Sequence, residues 1–148
     1  MKRPVALLFL VVLLLVLAAG GLYGGIAMLL DPSGASLQMT EVLASLPVPD
    51  YTLPGLFLLF VMGVAPLVLT YGLLTRPAWR WAEPLSRAGR HHWAWTGTLA
   101  LCVVLAVWLT VQGWMIGFRW PIQFVTAGIG LGIVVLALVP GVRRHYAR

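Results

Sequence analysis

Charged residues are scarce in this sequence, and cysteine is almost absent. Only 9% of the 148 residues are Asp, Glu, Lys or Arg, whereas 61% are hydrophobic, and the mean hydropathy is +0.96. A soluble domain contains about 25% charged residues, so this composition excludes one and predicts an integral membrane protein. The single cysteine, Cys102, excludes an intramolecular disulfide, a Cys-x-x-Cys redox pair and a cysteine-based zinc or iron–sulfur site within one chain.

Ionisable side chains are also missing from the long hydrophobic segments. Such residues mark proton relays and ion pathways in membrane proteins, so the sequence argues against a proton-coupled pump. The three histidines, His91, His92 and His145, lie outside these segments, where they cannot face one another as axial haem ligands. We therefore expect no metal site and no catalytic residue, which favours a protein that is not an enzyme without deciding the question.

Four hydrophobic segments are long enough to cross a bilayer, whose core of about 30 Å requires about 20 helical residues. They cover residues 4–30, 53–74, 93–115 and 121–139, separated by loops 31–52 and 75–92 and followed by the tail 140–148. The first segment has 26 uncharged residues from Val5 to Leu30, longer than the core of about 7 to 15 residues in a cleaved signal peptide. The sequence predicts an all-α bundle of four transmembrane helices in a single membrane domain, 1–148.

The basic residues predict how the bundle is oriented. If both termini are cytoplasmic, nine of the ten Lys and Arg residues lie on the cytoplasmic side, and Arg119 alone lies outside. Positive charge is concentrated on the cytoplasmic side of membrane proteins. We therefore expect a multi-pass protein of the plasma (inner) membrane with both termini in the cytoplasm.

The excess of positive charge has two interpretations, a nucleic-acid surface or a membrane surface. The basic residues are spread over three segments without an RNA or DNA motif, so we expect no nucleic acid partner. Anionic lipid at the cytoplasmic face is the expected partner, especially for Arg76, Arg80, Arg87 and Arg90 and for the tail 143–148.

Glycines at helical spacing predict where helices approach closely. Gly20 and Gly24 in the first helix, and Gly128 and Gly132 in the fourth, form small-xxx-small pairs. We expect Gly24 and Gly128 to face another helix. Packing within one chain explains the pattern, and so would a homo-oligomer or a complex with another membrane protein.

Polar side chains collect toward the predicted outer face. Arg119 is the only outer cation, and we expect it to pair with Asp31 or Asp50 near Gln112 and Gln123. Such a cluster either fastens the outer loop onto the bundle or lines a shallow pocket for a headgroup, a quinone ring or a small anion. The candidate binding residues are Asp31, Asp50, Tyr51, Gln112, Trp114, Arg119 and Gln123.

The outer loop, residues 31–52, has an amphipathic middle. Leu37, Val42 and Leu46 alternate at helical spacing with polar residues, and Pro47 ends the pattern. This predicts a short helix on the outer surface that roofs the bundle.

Three groups of loop and packing motifs carry a resemblance to known proteins. They are Asp31-Pro32-Ser33-Gly34, Asp50-Tyr51-Thr52-Leu53-Pro54-Gly55, and Val111-Gln112 with Pro121-Ile122-Gln123. Over most of its length the chain resembles a widespread set of uncharacterised bacterial four-helix membrane proteins. It is more distantly similar to DoxX-like proteins, some of which are associated with quinone-linked thiol or sulfur oxidation.

This resemblance leaves two functions open. One is a non-enzymatic bacterial inner-membrane protein, acting as an accessory subunit or as a binder of a small ligand or lipid. The alternative is the membrane subunit of a quinone-linked, DoxX-like oxidoreductase, with quinone as its cofactor. With one cysteine and no redox ligand, the chain departs from what that chemistry needs, and no catalytic residue carries over.

Overall fold

The fold is an all-helical bundle, as the sequence predicts. The computed structural model describes residues 2–147, which contain no β-strand. Four of its helices are long and apolar enough to cross a membrane. In chain order the helices are α1 (Val5–Leu30), α2 (Thr40–Leu43), α3 (Thr52–Thr75), α4 (Glu83–Gly89), α5 (Trp93–Ile116), α6 (Pro121–Leu138) and α7 (Pro140–Tyr146).

The four long helices run alternately up and down around a common core. Helix α1 packs against α3 and α6, and α5 packs against α6 and against the second half of α3, Ala65–Thr75. Every neighbouring pair is therefore antiparallel, the arrangement that short connections produce. We call the end with Arg3 and Tyr146 the termini end, and the end with residues 31–52 the loop end.

Glycines bring the backbones of α1 and α3 into contact. Gly21 and Gly25 are buried; a methyl group at Gly21 would overlap the carbonyl group of Met62, and one at Gly25 would lie 2.6 Å from the Leu59 nitrogen. Small residues permit this approach, and a side chain would prevent it. The tightest contact between transmembrane helices is thus one residue beyond the predicted pair, Gly20 and Gly24.

Within this chain, two of the four predicted glycines contact another helix and two do not. Methyl groups at Gly24 and Gly132 would lie 3.4 Å from the Leu58 side chain and 2.8 Å from the Leu13 side chain, respectively. Gly20 and Gly128 are exposed, and no described atom beyond their own helix lies within 4 Å of an added methyl group. Two overlapping small-xxx-small pairs occur in α1, and successive helical residues point about 100° apart, so the spacing did not identify the buried pair.

A π-helical segment, Leu58–Val64, interrupts α3 where it meets Gly21. It ends two residues before Pro66, which has no N–H to donate to the Met62 carbonyl four residues earlier. The hydrogen atom of Gly21 that a methyl group would replace points at this same carbonyl. A Cα–H group is a weak donor to such an oxygen, so α1 covers the interruption that the proline makes in α3.

At the termini end, aromatic side chains donate hydrogen bonds to carbonyl groups in the last turns of two helices. The Leu73 carbonyl has no helical donor because residue 77 is proline, and the Tyr146 hydroxyl donates to it at 2.6 Å. The Trp95 indole N–H donates to the Ala137 carbonyl at 2.9 Å in the last turn of α6. Helix ends leave carbonyl groups without partners, and these side chains supply the missing donors.

The segments between the long helices differ from the predicted loops. The predicted surface helix of residues 31–52 is reduced to the 3-10 turn Ala35–Leu37 and the single turn α2. Gln38, with φ +55°, separates the two in the left-handed conformation. The tail forms the helix α7, started by Pro140 and docked by a 2.9 Å hydrogen bond from the His92 N–H to the Tyr146 carbonyl. The short tail sequence did not predict this helix, because the helix depends on a contact with a distant part of the chain.

The contact at Gly21 predicts different effects for adjacent glycines. We expect Gly21→Ala to lower the free energy of unfolding by about 1–3 kcal/mol, because the methyl group meets backbone that cannot rotate away. Gly20→Ala, the matched control, should change it by less than about 0.5 kcal/mol. Thermal unfolding in detergent would measure both. Equal effects would contradict the close approach of α1 and α3.

Candidate ligand cavity at the loop end

A cavity of about 410 Å³ lies at the loop end between α1, α3, α5 and the segment 31–52. This volume is within the range of about 300–1,000 Å³ found for small-molecule pockets. Fourteen of its sixteen lining residues are apolar or tryptophan. They are Met28, Met39, Val42, Leu46, Pro47, Val48, Leu53, Pro54, Phe57, Leu58, Trp108, Val111, Met115 and Ile116, and the other two are Tyr51 and Gln112.

The cavity exists because α3 and α5 diverge toward the loop end. The half of α3 at Ala65–Thr75 packs closely along α5, whereas the backbone of the half that begins at Thr52 lies farther from it. The rings of Phe57 and Trp108 stack across the space between the helices, with centroids 4.3 Å apart. This stacked pair bridges the two helices and forms one side of the cavity.

Tyr51 holds the segment 31–52 over the cavity. Its side chain is only 2% exposed, its hydroxyl donates to the Met39 carbonyl at 2.8 Å, and its backbone N–H donates to the Pro32 carbonyl at 2.9 Å. The ring lies against Gly34, whose φ of +76° favours glycine. Tyr51 therefore holds both ends of the 3-10 turn Ala35–Leu37 in place. The residues between this turn and Tyr51 form the roof of the cavity.

Gln112 is the only lining residue with a free polar side chain. Its amide is half-buried and forms no hydrogen bond with any residue from 2 to 147, whereas the Tyr51 hydroxyl is already bonded. An amide among apolar groups is stabilised only when a partner bonds to it. This side chain offers one acceptor and two donors to a molecule in the cavity.

The two predicted acids do not line the cavity; they organise turns beside it. Asp31 accepts hydrogen bonds from the Ser33 hydroxyl and the Ser36 backbone N–H, which lower the pKa of its carboxyl group. Asp50 accepts the Thr52 backbone N–H at 2.9 Å, and this bond lowers its pKa. Both carboxylates therefore stay charged at neutral pH. Asp31 stabilises the turn that starts the loop 31–52, and Asp50 stabilises the turn that ends it.

The predicted ion pair of Arg119 is wrong. Arg119 is exposed and, within the described chain, has no carboxylate within 4 Å of its guanidinium group. Local backbone and hydroxyl donors already satisfy Asp31 and Asp50. Such local bonds order fewer side-chain torsions than an ion pair between separate loops would. The two acids therefore bond within their own turns, and the distribution of charge along the sequence did not predict their partners.

Gln123 and Trp114 also lie apart from the cavity. The buried Gln123 side chain accepts the backbone N–H groups of Arg119 at 3.2 Å and Trp120 at 3.1 Å, and so caps the start of α6. Trp114 is 87% exposed on α5, as expected of an aromatic ring at headgroup depth. Of the seven predicted binding residues, the structure brings only Tyr51 and Gln112 together in the cavity.

Sequence reasoning missed the apolar walls. Phe57, Trp108 and Met115 belong to helices that are hydrophobic on every side, so no polar pattern distinguishes the cavity face from the lipid face. The aromatic residues Phe57 and Trp108 within two of the long helices were the one available signal.

Comparisons with known proteins found no matching family model, curated protein or solved structure. The resemblance to bacterial four-helix and DoxX-like proteins thus stays a prediction.

The two glutamines should respond oppositely to the same substitution. We expect Gln112→Leu to leave the free energy of unfolding unchanged or to raise it by up to about 1 kcal/mol, because it removes an unpartnered amide from apolar surroundings. Gln123→Leu should lower it by about 1 kcal/mol, because the loss of the acceptor for two backbone donors outweighs the removal of the buried Nε2 group, which has no partner. Unfolding of both variants in detergent would measure the difference. A comparable loss for both would show that the Gln112 amide is bonded within the protein.

Proposed function

We propose that this chain is a non-enzymatic protein of the bacterial plasma (inner) membrane that binds a small lipid-soluble molecule at the loop end. The observation that supports this most is the apolar cavity of about 410 Å³ with one unpartnered amide, Gln112. Apolar walls with a few placed polar groups are characteristic of ligand sites. The ligand would combine an apolar body with one hydrogen-bonding group.

The rim of the cavity supports entry from the membrane. Leu53 and Val111 line the cavity and are also exposed on the bundle surface. Lipid chains would cover these residues in a bilayer, so a molecule dissolved in the membrane can reach the cavity without crossing water. This route favours an isoprenoid, acyl or quinone compound over a soluble metabolite.

A quinone suits the same cavity and connects it to the second function, a subunit of a quinone-linked oxidoreductase. The Gln112 amide can donate to a quinone carbonyl, and Phe57 and Trp108 offer aromatic faces for the ring. Reduction of the quinone would take two electrons from a partner redox protein and two protons. In this case the chain is the quinone-binding subunit, and the partner protein oxidises the substrate and passes its electrons to the quinone.

The distribution of charge supports cytoplasmic termini. At the termini end the exposed basic residues include Lys2, Arg80, Arg90, Arg143 and Arg144, whereas Arg119 is the basic residue of the loop end. The positive-inside rule then places the termini end in the cytoplasm, where it would meet anionic lipid.

The orientation predicts which engineered cysteine reacts with a membrane-impermeant maleimide. On a Cys102→Ala background, Ser36→Cys should be labelled in intact spheroplasts and Ala88→Cys only after lysis, since both side chains are exposed. Ser86 would be a poor probe because it is buried. Labelling of Ala88→Cys in intact spheroplasts, with Ser36→Cys protected, would reverse the proposed orientation.

Filling the cavity should remove its ligand. We expect native mass spectrometry of the protein, extracted with its own lipids, to show a co-purifying small molecule. Val42→Trp should reduce its occupancy by about tenfold, because the indole takes up space in the roof. The matched control, Val125→Trp, places the same side chain on the exposed face of α6 and should retain the ligand. Equal occupancy in both variants would refute the cavity as the binding site.

A further inference from the structure

A second, smaller cavity lies at the termini end and is lined by basic side chains. It has a volume of about 270 Å³, and its lining residues are Arg3, Leu73, Leu74, Thr75, Arg76 and His145. Its three basic residues come from three separate segments: the N-terminal segment before α1, the end of α3, and α7. Tertiary folding, and not a run of basic sequence, brings them together.

Contacts with the bundle fix these side chains. Arg3 donates to the Leu74 carbonyl at 3.1 Å, and the guanidinium group of Arg76 contacts the His145 ring at Nε2. The guanidinium carbon of Arg76 also lies 5.0 Å from the centre of the Tyr146 ring, which is itself anchored to the Leu73 carbonyl. These contacts orient the exposed side chains of Arg3 and Arg76, so an anion binds at a smaller cost in side-chain freedom than it would at unattached arginines.

No acidic side chain between residues 2 and 147 forms an ion pair with this cluster. Its lining contains no carboxylate, and the one ion pair in the described part of the chain joins Glu83 to Arg87. Burial, followed by the charges of Arg76 and Arg3, lowers the pKa of His145. Basic groups held together without a counter-charge repel one another, and an anion from outside the chain would remove that repulsion.

The position of the cluster indicates where the anion comes from. It lies at the last turn of α3, beside the aromatic stack of Tyr71, Trp79 and Trp93. Aromatic rings of this kind mark the depth of the lipid headgroups. Guanidinium groups bind phosphate through two parallel hydrogen bonds, and headgroup phosphates are the abundant anions at this depth.

We infer that Arg3, Arg76 and His145 form a binding site for the phosphate of an anionic membrane lipid. The two guanidinium groups bind the phosphate oxygens, and the imidazole donates a further hydrogen bond. The acyl chains would extend along the end of α3 beside the exposed Leu74. The proposed membrane orientation decides only which leaflet supplies the lipid. The inference does not depend on the cavity at the loop end.

The test compares charge-matched variants in the full-length protein. Native mass spectrometry with phosphatidylglycerol should show that Arg3→Gln and Arg76→Gln each weaken lipid binding by about tenfold, the value of one lost charge-assisted contact. Arg144→Gln removes the same charge from an exposed position outside the cavity and should weaken it by less than about twofold. Equal weakening in all three variants would mean diffuse attraction of lipid and would overturn the site.

A second readout separates binding from a purely structural role of the arginines. Phosphatidylglycerol should raise the pKa of His145, measured by NMR of the labelled imidazole, because the phosphate offsets the nearby positive charges. Diacylglycerol, which lacks phosphate, should leave the pKa unchanged. Inorganic phosphate alone producing the full shift at millimolar concentration would identify a soluble anion as the ligand and overturn the lipid assignment. An unchanged pKa with phosphatidylglycerol would exclude His145 from the site.

Discussion

The need to bond every backbone polar group without water is the constraint on which this structure depends. Inside a bilayer an α-helix meets it over long stretches, because its backbone groups bond within the segment, and prolines break it locally. Pro66 and Pro77 each leave a carbonyl of α3 without its helical donor. The chain responds with the π-helical segment and the approach of Gly21 at one position, and with the Tyr146 hydroxyl at the other. Interhelical contacts therefore form where the helical hydrogen bonding fails.

The two ends of the bundle meet this constraint differently. At the termini end, indole and hydroxyl donors reach carbonyl groups of other segments, so that α3, α5, α6 and α7 are joined by hydrogen bonds. At the loop end, each turn bonds mainly to itself through Asp31, Asp50 and Gln123. Because these groups are satisfied locally, they do not draw α3 and α5 together. The cavity occupies the space that remains.

The sequence predicted the four long helices to within one or two residues, because hydrophobic length and proline positions are local properties. It did not identify Gly21 and Gly25 as the pair that meets the backbone of α3, since Gly20 and Gly21 fit the same spacing. It also missed α7, whose stability comes from its contact with His92. Of the candidate site, Tyr51 and Gln112 could be found as polar residues near helix ends. Phe57 and Trp108 could not, because their apposition depends on how α3 and α5 diverge.

The unequal lengths of the helices affect the surrounding bilayer. Helix α6 has 18 residues and α1 has 26, which at 1.5 Å per residue correspond to about 27 Å and about 39 Å. Because the two pack against each other, they cannot tilt independently to match one membrane thickness. In a bilayer, α6 would therefore match a thinner hydrocarbon layer than α1 would. Shorter or more disordered acyl chains would gather on one flank, and the protein would carry its own asymmetric lipid shell.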